Sequence, residues 1–191
     1  QDIIAVWKGG MAIHGGILGG IIGTCIYGKI KKLNPLLLGD IAAAPLLLGQ
    51  AIGRIGNFMN GEIYGVPTFT PFNVIFTLKP KFYEWFAYYN SLSFSDKMTF
   101  KDKVPWGIVF PNSSPAGMEF PNTALYPAMI YELILNFTGF LFIWFYLKNK
   151  KTATGTVWCS YIIIYSLIRI FVSFFRAEDL MIFDIRAPHL V

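Results

Sequence analysis

Long apolar runs, separated by short polar ones, dominate the chain. Four of them are long enough to cross a bilayer as helices, because a hydrocarbon core of about 30 Å requires about 20 helical residues. The four predicted spans are roughly Met11 to Ile30, Pro35 to Met59, Leu125 to Leu147 and Gly155 to Phe175. This pattern predicts an all-α polytopic integral membrane protein with four transmembrane helices.

A polar, aromatic and proline-containing segment from Asn60 to Ala124 separates the second and third spans. It is too long and irregular for a simple turn between two helices. We therefore divide the chain into two spans in residues 1–59, this irregular segment in residues 60–124, and two spans with a tail in residues 125–191. The aromatic residues of the segment are expected either at the lipid interface or in the core of a small cap; they are Phe82, Tyr83, Trp85, Phe86, Tyr88 and Tyr89.

Lysine clusters at the ends of the apolar runs predict the topology. Short loops rich in Lys and Arg remain in the cytoplasm, so the turns around Lys31 and Lys150 are placed inside and residues 60–124 outside. Four spans then alternate in direction without conflict. The lysine clusters that mark this topology also explain the net charge of +5 and the pI of about 9.2. We therefore do not expect a nucleic-acid partner.

Composition supports the membrane class, since 54% of the residues are hydrophobic and 14% are charged. Cys25 and Cys159 lie in apolar runs without metal-ligand spacing, and both are expected to be small buried residues. In the first span, Gly15, Gly19 and Gly23 recur every four residues. Such spacing permits close approach of neighbouring backbones and predicts that the first helix is central.

Polar residues interrupt the outer ends of all four spans. Ionisable side chains within a span are costly and are usually functional. Given the predicted topology, these residues converge near one depth at the outer surface, although they come from different helices. They are His14, Gln50, Arg54, Asn57, Glu62, Tyr131, Glu132, Tyr165, Arg169 and Arg176.

The chemistry of this set suits a phospholipid headgroup. Arg54 and Arg169 supply planar cations that recognise phosphate. His14 and either Glu62 or Glu132 could move a proton. Structural explanations remain open for single residues, since Glu132 could neutralise Arg169 and Arg176 could extend to the interface. No HExxH, GxSxG or Walker pattern indicates another chemistry.

The thirteen residues from Gly53 to Gly65, GRIGNFMNGEIYG, resemble the signature of the prolipoprotein diacylglyceryl transferase family. Four more elements resemble family motifs in the same order, so the resemblance runs from His14 to Arg176. They are HGGILG from His14, Leu38-Gly39-Asp40, the element from Tyr126-Pro127 to Tyr131-Glu132, and Tyr165, Arg169 and Arg176 in the Y-x3-R-x6-R pattern.

The resemblance implies a reaction and its partners. The diacylglyceryl group of phosphatidylglycerol would pass to the lipobox cysteine thiol in the signal peptide of a preprolipoprotein, with release of glycerol phosphate. The enzyme would lie in the bacterial inner membrane, with its site facing outside, and would need no metal or organic cofactor. The resemblance also implies that family helices are missing at both ends of this chain.

Residue roles follow from the same resemblance. Arg54 and Arg169 would hold the lipid phosphate, and His14 would be the base for the incoming thiol. Asn57, Glu62 and Gly65 would shape the headgroup site. The remaining substrate-binding candidates are Gln50, Tyr131, Glu132, Tyr165 and Arg176.

Three departures from the family pattern keep alternatives open. Ser173, Tyr126 and Met129 stand where the family often has Glu, His and Gln. An inactive lipid-binding relative is one alternative. A transporter or flippase that uses the same arginines for an anionic substrate is another, although the chain shows no internal repeat.

Overall fold

A computed structural model describes residues 13–77, 81–150, 152–177, 181–182 and 185–186, with side chains for residues 19–77, 81–150 and 152–177. The described chain is mainly helical. Its helices are α1 Ile13–Lys31, α2 Pro35–Asn60, α3 Phe72–Ile75, α4 Phe82–Ser91, α5 Phe94–Lys97, α6 Pro115–Glu119, α7 Ala128–Leu141 and α8 Thr156–Ser173. A π-helical turn, Phe142–Leu147, extends α7, and β1 Met181–Ile182 pairs antiparallel with β2 Ile185–Arg186.

Three of these helices are long and apolar enough to cross a membrane: Pro35–Asn60, Ala128–Leu147 and Thr156–Ser173. They confirm the predicted membrane class and three of the four predicted spans. The remaining predicted span, the first along the chain, corresponds to α1, a helix of 19 residues. Its predicted start at Met11 lies outside the described residues.

The central bundle consists of α2, α7 and α8. Small residues let these helices approach: an added Cβ on Gly39 would meet the Trp158 ring at 3.0 Å, and one on Gly139 would meet Ile164 at 3.0 Å. The helix predicted to be central, α1, instead lies beside α2. Added Cβ atoms on its Gly19 and Gly23 would meet nothing within 4 Å, so these two glycines make no close contact within the described chain.

Local signals in the sequence set the ends of α2. The Asn34 side chain accepts a 3.0 Å hydrogen bond from the Leu36 backbone N–H, and Pro35 takes the first helical position, where its missing N–H costs nothing. At the other end Gly61 adopts the left-handed conformation that ends many helices, with φ 67°. The helix is therefore 26 residues long.

Asp40 joins α2 to the first turn of α8. Its two carboxylate oxygens accept hydrogen bonds from the backbone N–H groups of Gly155 at 2.7 Å and Trp158 at 2.8 Å. Both donors belong to a helix N-terminus, which has unpaired N–H groups and a partial positive charge. We call this side of the bundle the lysine end, because Lys31 and Lys150 lie there.

The described residues of the segment 60–124, which we call the cap segment, form a small folded unit at the opposite side of the bundle, the cap end. Its apolar core includes the buried Phe82, with Trp85 and Phe86 packed against it. The alternative of a cap core is therefore correct for these rings, whereas Tyr83 and Tyr88 are exposed.

Backbone hydrogen bonds tie the cap segment to the spans. The Gly65 N–H donates to the Tyr126 carbonyl at 2.9 Å, just before α7. The Val66 N–H donates to the Phe175 carbonyl at 2.9 Å, just after α8. Since Gly65 follows α2 closely, these bonds bring the ends of all three spanning helices together.

The expectation that both cysteines are buried is wrong, because Cys25 and Cys159 are exposed on the described surface. An apolar side chain within a membrane span can face lipid as readily as protein. The apolar character of a residue in a span therefore does not show whether its side chain faces lipid or is buried in protein.

Candidate functional site

Two arginines from different helices share one buried carboxylate. Arg54 Nη2 in α2 donates to Glu132 Oε1 in α7 at 2.7 Å, and Arg169 Nη1 in α8 donates to Glu132 Oε2 at 3.4 Å. The Glu132 side chain is 0% exposed, whereas those of Arg54 and Arg169 are 16% and 23% exposed. One carboxylate offsets one of the two cations, so these three residues together carry a single positive charge.

A second set of hydrogen bonds holds Arg54 from the other side. Its Nη1 donates to Asn57 Oδ1 at 3.0 Å, and Asn57 Nδ2 donates to Glu62 Oε2 at 3.1 Å. The bond to Asn57 forms because residues three apart share a helix face. The turn after Gly61 returns Glu62 to that face, where its backbone N–H donates to the Asn57 carbonyl at 2.9 Å.

A polar layer lies one helical turn deeper in the bundle than the arginines. Gln50 Nε2 donates to the Tyr161 hydroxyl at 3.1 Å, and Tyr161 stacks on Tyr165 with a centroid distance of 6.1 Å. Asn136 follows Glu132 by four residues and is 0% exposed. Neither polar atom of its amide has a hydrogen-bond partner in the described chain.

Tyr131 connects the site to the cap segment. Its hydroxyl accepts a 2.8 Å hydrogen bond from Trp106 Nε1, and its ring packs edge-on against Phe175 at 5.4 Å. Tyr126 is also buried next to Phe175. Burial, with smaller contributions from Tyr131 and Asp102, raises the pKa of Tyr126 to about 12, so its hydroxyl stays protonated at neutral pH.

Gly65 lies at a crossing of three chain segments. An added Cβ there would lie 2.3 Å from the Tyr126 carbonyl oxygen and 2.7 Å from that of Phe175. Arg176 is the β-bridge partner of Gly65. Arg176 therefore lies beyond the end of α8, which is at Ser173, whereas Tyr165 and Arg169 lie within that helix.

The structure thus brings most of the predicted set to the cap end. Glu132 binds Arg54 and Arg169. Arg54 also binds Asn57, and Asn57 binds Glu62, so five predicted residues form one chain of contacts. The side chain of His14 lies outside the described part. The other predicted residues have no described bond to the two arginines; they are Gln50, Gly65, Tyr131, Tyr165 and Arg176.

Sequence reasoning missed Trp106, Tyr161 and Asn136. Trp106 lies in an irregular stretch with no periodic pattern, and Tyr161 lies in an apolar helix where an aromatic residue is ordinary. Asn136 carried a usable signal. It is an amide inside an apolar run, one helical turn from Glu132.

Comparisons with known proteins decide the family. The family model described as prolipoprotein diacylglyceryl transferase matches residues 1–191. The chain belongs to the prolipoprotein diacylglyceryl transferase family.

Several relatives in this family are named phosphatidylglycerol-prolipoprotein diacylglyceryl transferase. The protein of Fusobacterium nucleatum subsp. nucleatum is 70% identical over 191 residues, which is 100% of this chain and 66% of the relative. The protein of Thermosynechococcus vestitus is 34% identical over 193 residues, which is 100% of this chain and 59% of the relative. The protein of Staphylococcus aureus (strain MSSA476) is 33% identical over 192 residues, which is 100% of this chain and 57% of the relative. The chain therefore spans less than two thirds of the length of these diacylglyceryl transferases.

Proposed function

We propose that this chain carries the phosphate-binding part of a membrane enzyme that transfers a diacylglyceryl group from phosphatidylglycerol to a cysteine thiol of a prolipoprotein. The observation that carries the proposal is the meeting of Arg54 and Arg169 at the buried Glu132 carboxylate. The single net positive charge of this cluster matches the single negative charge of a phosphodiester. The names of the relatives supply the substrates.

In the proposed reaction, the sulfur of the lipobox cysteine attacks the carbon of the diacylglyceryl group that carries the phosphate ester. A carbon–sulfur bond forms while the carbon–oxygen bond breaks, and its electron pair leaves with glycerol phosphate. The thiol proton passes to a base, for which His14 is the candidate. Because a free thiol has a pKa of about 8.5, thiolate formation at neutral pH costs only about 2 kcal/mol.

Arg54 and Arg169 act on the leaving group. Their guanidinium groups hold the phosphate and stabilise the charge that grows on it as the carbon–oxygen bond breaks. Glu132 serves a different purpose from the one first expected. Since both of its oxygens accept from the arginines and the side chain is buried, it positions the two cations and does not reach the substrate.

The surrounding residues receive supporting roles. Asn57 and Glu62 hold Arg54 from the cap side, and Gly65 fixes the chain crossing beside Arg176. Gln50, Tyr131, Tyr165 and Arg176 line the approach of the headgroup. The lysine end faces the cytoplasm and the cap end faces outside, in the inner membrane of a bacterium, where the signal peptide of a prolipoprotein is accessible.

One assay tests the proposal. Purified full-length protein is mixed with phosphatidylglycerol labelled in its acyl chains and with a lipobox peptide, and label on the peptide cysteine is measured. We expect transfer that is lost when the peptide cysteine is replaced by serine. Lipid binding without transfer would favour an inactive relative. Movement of labelled lipid between leaflets without transfer would favour a flippase.

A further inference from the structure

A short loop of the cap segment, Asp102–Ile108, is fixed at both ends. At its start the Lys103 N–H donates to the Thr68 carbonyl at 2.9 Å, and the Thr68 hydroxyl donates to Asp102 at 2.5 Å. At its end Ile108 exchanges two 2.9 Å backbone hydrogen bonds with Leu125. We call this segment the tryptophan loop, because Trp106 lies near its tip.

Close packing restricts the loop further. An added Cβ on Gly107 would lie 2.6 Å from a methyl carbon of Thr68 and 2.9 Å from the Cβ of Ala124. Thr68 is 0% exposed, so it could not move without disturbing its closely packed surroundings. The fold therefore holds the residues next to Gly107 in one place.

Trp106 itself is held in one orientation and yet remains accessible. Its indole N–H donates to the Tyr131 hydroxyl at 2.8 Å, while 58% of the residue is exposed. Tyr131 is in the first turn of α7 and directly precedes Glu132, which binds both arginines. An exposed aromatic ring is thus tied to the first turn of α7, the helix that carries Glu132.

The surface beside this ring is concave. The residues on both sides of Trp106 line a depression of about 280 Å³, which also includes the side chains of Asp102 and Lys103. An exposed ring next to a depression with both charges suits a polypeptide, which offers apolar side chains and backbone donors and acceptors. Tryptophan is among the residues that most often dominate polypeptide binding.

We propose that Trp106 and the tryptophan loop bind the acceptor polypeptide on the mature side of its cysteine. This inference rests on the proposed function. The attacking sulfur approaches the glycerol carbon from the side opposite to the departing phosphate, so the acceptor is held apart from the arginines. The tryptophan loop is compatible with this requirement, because its described link to the predicted substrate-binding residues is the Trp106 bond to Tyr131 and not a bond to an arginine.

Steady-state kinetics of the full-length enzyme tests the inference, with lipobox peptide and phosphatidylglycerol varied separately. Trp106→Ala is expected to raise the KM for the peptide at least about tenfold, the effect of losing a typical binding anchor, and to leave the KM for phosphatidylglycerol within about twofold. Trp106→Phe keeps a ring and is expected to retain most of the peptide affinity. Phe94→Ala is the matched control, because Phe94 is another aromatic residue of the cap segment and is 80% exposed.

Two results would overturn the inference. An unchanged KM for the peptide in Trp106→Ala would remove the loop from acceptor binding. A raised KM for phosphatidylglycerol alone would make Trp106 a lipid-interface residue. Tyr131→Phe separates orientation from contact, since it removes the indole hydrogen bond and is expected to raise the peptide KM less than Trp106→Ala does. Failure of the proposed function would differ from all of these, because the unmodified enzyme would then transfer nothing.

Discussion

Arg54 donates a 2.7 Å hydrogen bond to Glu132, a carboxylate with no exposure to its surroundings. Arg169 reaches the same carboxylate at 3.4 Å and is more exposed. The two cations of the site are therefore held unequally. Arg54 is fixed by Glu132 and Asn57, whereas Arg169 has a described hydrogen bond to Glu132 alone, and a longer one. Under the proposed function, Arg169 would therefore turn more easily towards a phosphate.

Substitution of Arg54 tests the phosphate-binding role. Arg54→Ala is expected to lower single-turnover transfer to a lipobox peptide on the order of a hundredfold to a thousandfold, the usual effect of removing one electrostatic stabiliser of a developing charge. Arg54→Lys is expected to lose much of the rate, because an ammonium group cannot donate to Glu132 and Asn57 with the same fork geometry.

Membrane insertion and thermal unfolding of both Arg54 variants are measured separately from transfer. If Arg54→Ala were inserted and transferred at nearly the unmodified rate, Arg54 would be a structural partner of Glu132, and the phosphate-binding account would be wrong.

An amide exchange tests the link from Arg54 to Glu62. Asn57→Asp keeps an acceptor for Arg54 but loses the donor to Glu62 and places two carboxylates side by side. We expect transfer to fall about twofold to fivefold, because charges at an exposed position interact by about 0.2–1 kcal/mol. Adding Glu62→Gln restores a donor to the pair, so the double variant is expected to recover part of the rate.

The matched control for this exchange is Asn149→Asp, since Asn149 lies at the lysine end and donates to a backbone carbonyl. A double variant no faster than Asn57→Asp would show that Glu62 contributes through something other than its bond to Asn57.

The sequence predicts the membrane class and the convergence of polar residues, Arg54, Glu132 and Arg169 among them, at one end of the spans, because both depend on regular periodicity. Apolar runs mark the spans, and lysines fix their direction, so residues at equal depth can be paired. The contact between Trp106 and Tyr131 could not be predicted in this way. It depends on the course of an irregular loop, which pairwise backbone contacts such as that of Lys103 with Thr68 determine.

The crossing at Gly65 has the same origin. The family resemblance implied that Gly65 shapes the site of the lipid headgroup. The space beside it is taken by two carbonyl oxygens of this chain, from Tyr126 and Phe175. Glu132 is a different case. Its pairing with Arg169 was one of the structural explanations that the sequence left open, and the two side chains do form an ion pair.

Gly65→Ala is expected to destabilise the protein strongly. A methyl group 2.3 Å from a carbonyl oxygen forces the backbone apart, and overpacking commonly costs about 1–3 kcal/mol or more. Thermal unfolding in detergent measures the effect. Gly53→Ala is the control, since an added Cβ there meets nothing within 4 Å and a helical alanine is favoured over glycine. Equal melting temperatures for the two variants would contradict the crossing described here.

Asp40 provides a test at the opposite end of the bundle. Asp40→Ala removes both acceptors from the first turn of α8 and is expected to cost about 1–2 kcal/mol of unfolding free energy, as helix capping residues do. Asp40→Asn keeps one carbonyl acceptor and is expected to lose less. Because Asp40 is far from the arginines along α2, the KM for phosphatidylglycerol is expected to be unchanged in both. A large rise in that KM without loss of stability would be inconsistent with a capping role.

Hydrogen bonds join α2 and α8 near both of their ends, and this affects how the bundle responds to a change in bilayer thickness. Gly65 and Val66 link the helices at the cap end, and Asp40 links them at the lysine end, so they cannot slide along each other. A thinner or thicker hydrocarbon layer is then accommodated by tilting the bundle as a unit. The distance between Arg54 and Arg169 would then stay constant when a bacterium changes the acyl chains of its membrane with temperature.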